Sequence, residues 1–176
     1  MSYIWSLLFA SFCLTVGFFD IRDRRVPNPL NLFGLVGQII WLIAIYIRPK
    51  GSLNYLFFAP PTTAITGLLT ALLLFFPLWR FKAMGAGDVK FMAVLGFCIG
   101  LSGLFPALII GSLLAGVHAV AAIMAKGWSG ARAIWRLAPD VRRGIPYAAY
   151  TAIGALFGAV WLLFQPQPWL TMLAGS

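Results

Sequence analysis

Acidic side chains are scarce in this sequence: Asp20, Asp23, Asp88 and Asp140 are the four, and there is no glutamate. Two of them stand where apolar runs begin or end. Asp20 closes the first run, and Asp88 follows Gly85-Ala86-Gly87 at the head of another. Glycines beside a carboxylate let the backbone adopt unusual angles, or let a second chain approach within contact distance, which suits an acid that must meet an extended peptide. Two carboxylates brought together at the ends of buried helices cannot both ionise cheaply, so they share a proton; the pair can then activate water and protonate a leaving group. That is the chemistry of an aspartic protease. The competing reading makes Asp20 and Asp88 interfacial charges paired with Arg22 and Lys90, an arrangement common at helix ends.

The other reactive side chains offer less. Asp23 lies among Arg22, Arg24 and Arg25 and reads as a salt-bridged loop acid, and Asp140 near Arg136 and Arg143 as an interfacial ion pair. His118, the single histidine, falls inside an apolar run with no second ligand in sight, so packing or hydrogen bonding is expected of it rather than proton relay. Cys13 and Cys98 sit in apolar runs without metal-ligand spacing and read as small buried hydrophobes. No ligand set for a metal or organic cofactor is visible, and none is expected.

The elements that must position the two acids are set by composition. With 176 residues, 61% of them hydrophobic and 10% charged, the chain departs from soluble domains, which carry about 25% charge. The class expected is all-α: a polytopic membrane protein forming one integral membrane domain over 1–176, with about six transmembrane helices. Continuous apolar runs, not alternating ones, argue against a β-barrel. The spans predicted are Tyr3–Phe19, Leu30–Ile47, Thr62–Trp79, Asp88–Leu101, Pro106–Ala125 and Tyr147–Phe164. The first is read as retained, because no basic n-region precedes it. Span four is short, which points to a site. The stretch Lys126 to Ile145 interleaves Trp128 and Trp135 with Arg132, Arg136, Arg142 and Arg143, as in an amphipathic helix lying among lipid headgroups. Gly96-x-x-x-Gly100 and Gly154-x-x-x-Gly158 suit close helix packing.

A net charge of +9 could suggest nucleic acid, but the basic residues are spread over the short connections and read as topology signals. With the N-terminus outside, eleven of the thirteen Lys and Arg fall in inner loops and only Arg48 and Lys50 in outer ones. The positive-inside rule then places all four acids at the cytoplasmic face.

At this point the residues resemble a family. Gly85-Ala86-Gly87-Asp88 fits the G-x-G-D motif of intramembrane aspartyl proteases, and the following Val89, Lys90 and Phe91 make it similar to the type IV prepilin peptidases. Upstream, Asp20-Ile-Arg-Asp-Arg-Arg-Val-Pro27-Asn28 resembles that family's first catalytic segment; downstream, Gly144-Ile-Pro-Tyr-Ala-Ala-Tyr150 is similar to its Pro-Tyr or Pro-Phe segment. The resemblance covers almost the whole chain in order and spacing. It implies catalytic roles for Asp20 and Asp88, and substrate-binding or site-shaping roles for Gly85, Gly87, Lys90, Pro27, Asn28, Pro146 and Tyr147. It also implies a prepilin-like protein substrate with a short basic leader, contact with membrane lipid, and a bacterial-type inner membrane. The short form is similar to the branch serving tight-adherence (Flp-type) pili and lacks a counterpart of the methyltransferase region of larger members. Ala148 stands where many relatives have glycine.

Two readings of other classes remain open on the sequence. A small proton-coupled transporter or channel would use the acids as relays, but should carry them near the bilayer midplane and show repeated halves. A noncatalytic scaffold of a pilus or secretion machine would tolerate loss of either acid.

Overall fold

Unbroken runs of Leu, Ile, Phe and Ala fold here into helices, the form that satisfies every backbone group of a span without water. The computed structural model describes residues 2–47, 61–136 and 146–164. The expectations for Asp140 and for the connection holding Arg48 and Lys50 lie outside those residues. Five helices are described: α1 (Ser2–Asp23), α2 (Asn28–Tyr46), α3 (Pro61–Arg80), α4 (Ala86–Arg136) and α5 (Tyr147–Phe164). Among the described residues, three stretches are long and apolar enough to cross a membrane, Ile4–Asp23, Pro61–Arg80 and Ala86–Ala121; Asn28–Ala44 and Tyr147–Trp161 are shorter apolar helices. Leu7, Leu14, Ile40, Leu73, Ile109, Leu113 and Phe157 are all exposed on their surfaces, as side chains facing lipid would be.

Where about six transmembrane helices are expected, the described residues form five continuous helices. Spans four and five, and the start of the stretch read as an interfacial helix, run together as α4 because no non-helical residue intervenes. Within α4 the direction nevertheless reverses. Gly100 has a φ of 65°, a left-handed value that glycine adopts without penalty. Contacts on its two sides run in opposite senses. From Gly87 through Val94 to Phe97 the neighbours climb α2 from Asn31 through Gly34 to Gln38. Beyond Gly100, Gly103, Ala107 and Gly111 meet Gly158, Gly154 and Thr151 in turn, descending α5 toward its N-terminus. The first arm, 86–99, therefore leads away from Asp88 and the second returns.

Residues 91–100 are all buried, so the first arm is the centre of the bundle. A side chain added to Gly67 of α3 would run into the Gly96 carbonyl and the Gly100 backbone, and one on Gly154 into the Ala107 carbonyl. These small residues let α3 and α5 close on α4 at backbone contact, the packing available where lipid supplies no hydrophobic drive. Farther from the acids, the Trp5 indole donates to Gln38 Oε1 at 2.9 Å, and Gln38 Nε2 donates to the Phe97 carbonyl at 3.3 Å, which ties α1, α2 and α4.

Two helices end on basic residues in left-handed backbone. Arg24, φ 53°, closes α1 by donating its N–H to the Asp20 carbonyl at 3.0 Å. Lys82, φ 56°, closes α3: its N–H reaches the Trp79 carbonyl at 2.9 Å and the Ala83 N–H the Leu78 carbonyl at 2.8 Å, a Schellman pattern in which glycine is the usual residue.

Candidate active site

Asp20 lies in the last turn of α1, and its side chain is 4% exposed. Oδ2 accepts the Ala149 main-chain N–H at 2.8 Å, and the Ala148 N–H also points at the carboxylate. Pro146 stands just before α5, leaving the first N–H groups of that helix without partners of their own. Asp20 supplies the acceptor from another helix, where the partial positive charge of the α5 terminus favours an anion. Ala148 and Ala149 are buried and small, which is what lets α1 come so close.

Asp88 is the third residue of α4, half-buried, and its carboxylate takes the Gly85 N–H while the Gly85 carbonyl accepts the N–H groups of Asp88 and Val89, each at 3.2 Å. The carboxylate-to-N–H contact is one half of a capping box, the half a glycine at the cap position leaves possible. The Asp88 and Asp20 carboxylates lie within electrostatic reach of each other. The turn is pinned against the link between α1 and α2: a Cβ on Gly87 would come 2.8 Å from the Val26 carbonyl, and Asn31 Nδ2 donates to the Gly87 carbonyl at 3.1 Å. The Pro27 carbonyl in turn accepts the Leu30 and Asn31 N–H groups at the start of α2.

The residues singled out by resemblance thus divide. Asp20, Asp88, Gly85, Gly87, Pro27, Pro146 and Tyr147 gather where α1 ends and α2, α4 and α5 begin. Lys90 and Asn28 meet each other, Nζ donating to Oδ1 at 3.0 Å. Two residues along a helix is about 200° of rotation, so Lys90 faces away from Asp88. With Asn28 it lines a largely apolar groove of about 630 Å³, together with Leu32, Leu35, Leu68 and Leu72. Asp23 is exposed and paired with Arg22 at 3.8 Å, a surface contact worth about 0–1 kcal/mol.

The main-chain N–H groups that hold Asp20 escaped sequence reasoning, although Pro146 beside a helix start was the available signal. Asn31 and the pairs His118–Tyr150 and Ser112–Tyr147 were not foreseen either. Arg22, Arg24, Arg25, Arg80, Lys82 and Lys90 are all exposed, and all lie at the same end of the bundle as the two acids.

Together these features define an all-helical membrane protein with a pair of carboxylates at one end of its bundle. The chain belongs to the type IV leader peptidase family, whose model matches residues 7–120, a range that includes Asp20 and Asp88. It is 27% identical over 165 residues to a prepilin leader peptidase/N-methyltransferase of Xanthomonas campestris pv. campestris, covering 90% of this chain and 48% of that protein. It is 26% identical over 165 residues to the protein of the same description from Pectobacterium carotovorum subsp. carotovorum, covering 89% and 51%. The chain spans about half the length of these curated relatives. No solved structure matches it.

Proposed function

We propose that this chain is an aspartic endopeptidase that removes the short basic leader of prepilin-like substrates at the cytoplasmic face of an inner membrane. The observation that carries the reading is that Asp20 and Asp88, far apart in sequence, lie within electrostatic reach of each other at one end of the bundle. With one proton between them, the ionised carboxylate takes a proton from water as its oxygen adds to the scissile carbonyl carbon, and the protonated one donates to the carbonyl oxygen. Collapse of the tetrahedral species then breaks the C–N bond: the leaving amine takes a proton from the pair, and a gem-diol hydroxyl returns its proton to the pair, restoring the single shared proton.

The topology proposed has six crossings and an outside N-terminus. It draws on the reversal at Gly100, which turns α4 into two arms, and on the six exposed cations at the acid end, which the positive-inside rule assigns to the cytoplasm. A substrate with a basic leader in the cytoplasm and an apolar helix in the bilayer presents its junction at that depth. The test is purified protein in liposomes, incubated with a panel of prepilins and read by mass spectrometry. Leader removal by the wild type and its loss in Asp20→Asn and Asp88→Asn are expected; full cleavage by both variants would discard the reading.

A further inference from the structure

His118 lies on the returning arm of α4 and is half-buried. Its Nδ1 shares a hydrogen bond with the Tyr150 hydroxyl, and the two rings meet edge to face with centroids 5.6 Å apart. Six residues earlier on the same arm, Ser112 Oγ is 3.0 Å from the Tyr147 hydroxyl. Next to these polar contacts, a Cβ on Gly111 would lie 2.7 Å from Thr151 Cγ2, so the arm is in close contact with the start of α5.

Tyr147 and Tyr150 bracket Ala148 and Ala149, the two residues whose N–H groups hold the Asp20 carboxylate. The first turn of a helix lacks intrahelical acceptors for its N–H groups and is among the first parts of a structure to open. Here that turn is the wall of the site, and Asp20 is held by no side chain in it. We propose that His118 is a positioning residue for Asp20: through Tyr150, and with Ser112 on Tyr147, it fixes the first turn of α5 and so the direction in which Asp20 meets Asp88. His118 touches neither acid and acts only through the backbone it steadies. The inference rests on the peptidase reading for its kinetic readout, but not for its structural one.

The experiment compares His118→Ala, His118→Asn and His118→Gln with wild type in liposomes, because the Asn amide falls where Nδ1 lies and the Gln amide reaches the Nε2 position instead. Loss of one hydrogen bond predicts a drop in kcat of roughly tenfold for His118→Ala and His118→Gln, with KM little changed. His118→Asn is expected to recover most of the rate. Tyr150→Phe should match His118→Ala, and the double variant should be no slower than either, since both remove the same contact. In parallel, amide hydrogen exchange over 147–151 should quicken in His118→Ala and stay near wild type in His118→Asn. A His118→Ala protein with wild-type kcat and wild-type exchange overturns the inference, as does equal loss in His118→Ala and His118→Asn with unaltered exchange. A wild type that cleaves no prepilin would overturn the peptidase reading alone, because the exchange measurement still decides whether the clamp exists.

Discussion

The carboxylate of Asp20 accepts the main-chain N–H of Ala149, 129 residues further along the chain, at 2.8 Å. One acid of the pair is thereby oriented by the terminus of a helix, with Arg24 as a countercharge nearby, while Asp88 is oriented by the turn that opens its own helix. The two hold fixed directions for different local reasons, and each arrangement can be broken alone.

Asp20→Asn and Asp88→Asn keep size and polarity but remove a proton-transfer group, so each should lower leader cleavage by at least about a thousandfold while the protein remains folded and inserted. Asp23→Asn should stay within about twofold, since its pair with Arg22 is exposed. Cleavage rates at matched protein levels check this. An active Asp20→Asn beside an inactive Asp23→Asn would mean that the wrong partner has been assigned.

Gly87→Ala should impair cleavage more than Gly85→Ala. The added methyl at Gly87 meets the Val26 carbonyl, which belongs to backbone and gives little, whereas at Gly85 it comes 3.2 Å from the Asp88 side chain itself. Overpacking of this kind costs about 1–3 kcal/mol, and at Gly87 it is spent on moving the turn that carries Asp88. Kinetics and thermal unfolding in detergent separate the two effects; equal activity of both variants would contradict the tight contact at Val26.

Lys82→Gly should stabilise the protein by about 0.5–1 kcal/mol, because a left-handed residue closing a helix is relieved when its Cβ is removed. The measurement is the unfolding midpoint in detergent. A lower midpoint would show that the lysine side chain contributes more to the end of α3 than its backbone angle costs.

A single cysteine at Lys82, in a Cys13→Ala, Cys98→Ala background, should react with an impermeant maleimide in inverted but not in right-side-out vesicles. This follows from the six exposed cations at that end of the bundle. The opposite labelling pattern would turn the proposed topology over.

Much of this arrangement is legible in the residues. Apolar runs mark the helices, and the scarcity of acids isolates Asp20 and Asp88 before any contact is known. Gly85 and Gly87 announce a close approach beside Asp88, which the structure shows as the contact with Val26. The merger of two expected spans into α4 was not legible, because a helix that reverses on one left-handed glycine has no polar linker to advertise it. Nor were the partners of Asp20: Ala148 and Ala149 contribute through backbone N–H groups, and nothing in an alanine side chain signals an anion site. His118 was visible only as a polar residue in an apolar run, since its partner Tyr150 lies 32 residues away on another helix.

The burial of 91–100 has a further meaning for how the protein sits in lipid. The first arm of α4, residues 86–99, is about 21 Å long at 1.5 Å per residue, short of the roughly 30 Å of hydrocarbon that an isolated span must cross. A helix facing lipid would meet that mismatch by thinning the bilayer or by oligomerising. From residue 91 onward this arm faces protein on all sides, so its turn at Gly100 can end at membrane depth with the surrounding helices as its solvent. Bilayer thickness then acts first on the outer helices, α1 with Asp20 among them, while the depth of Asp88 is set by the protein packed around its arm.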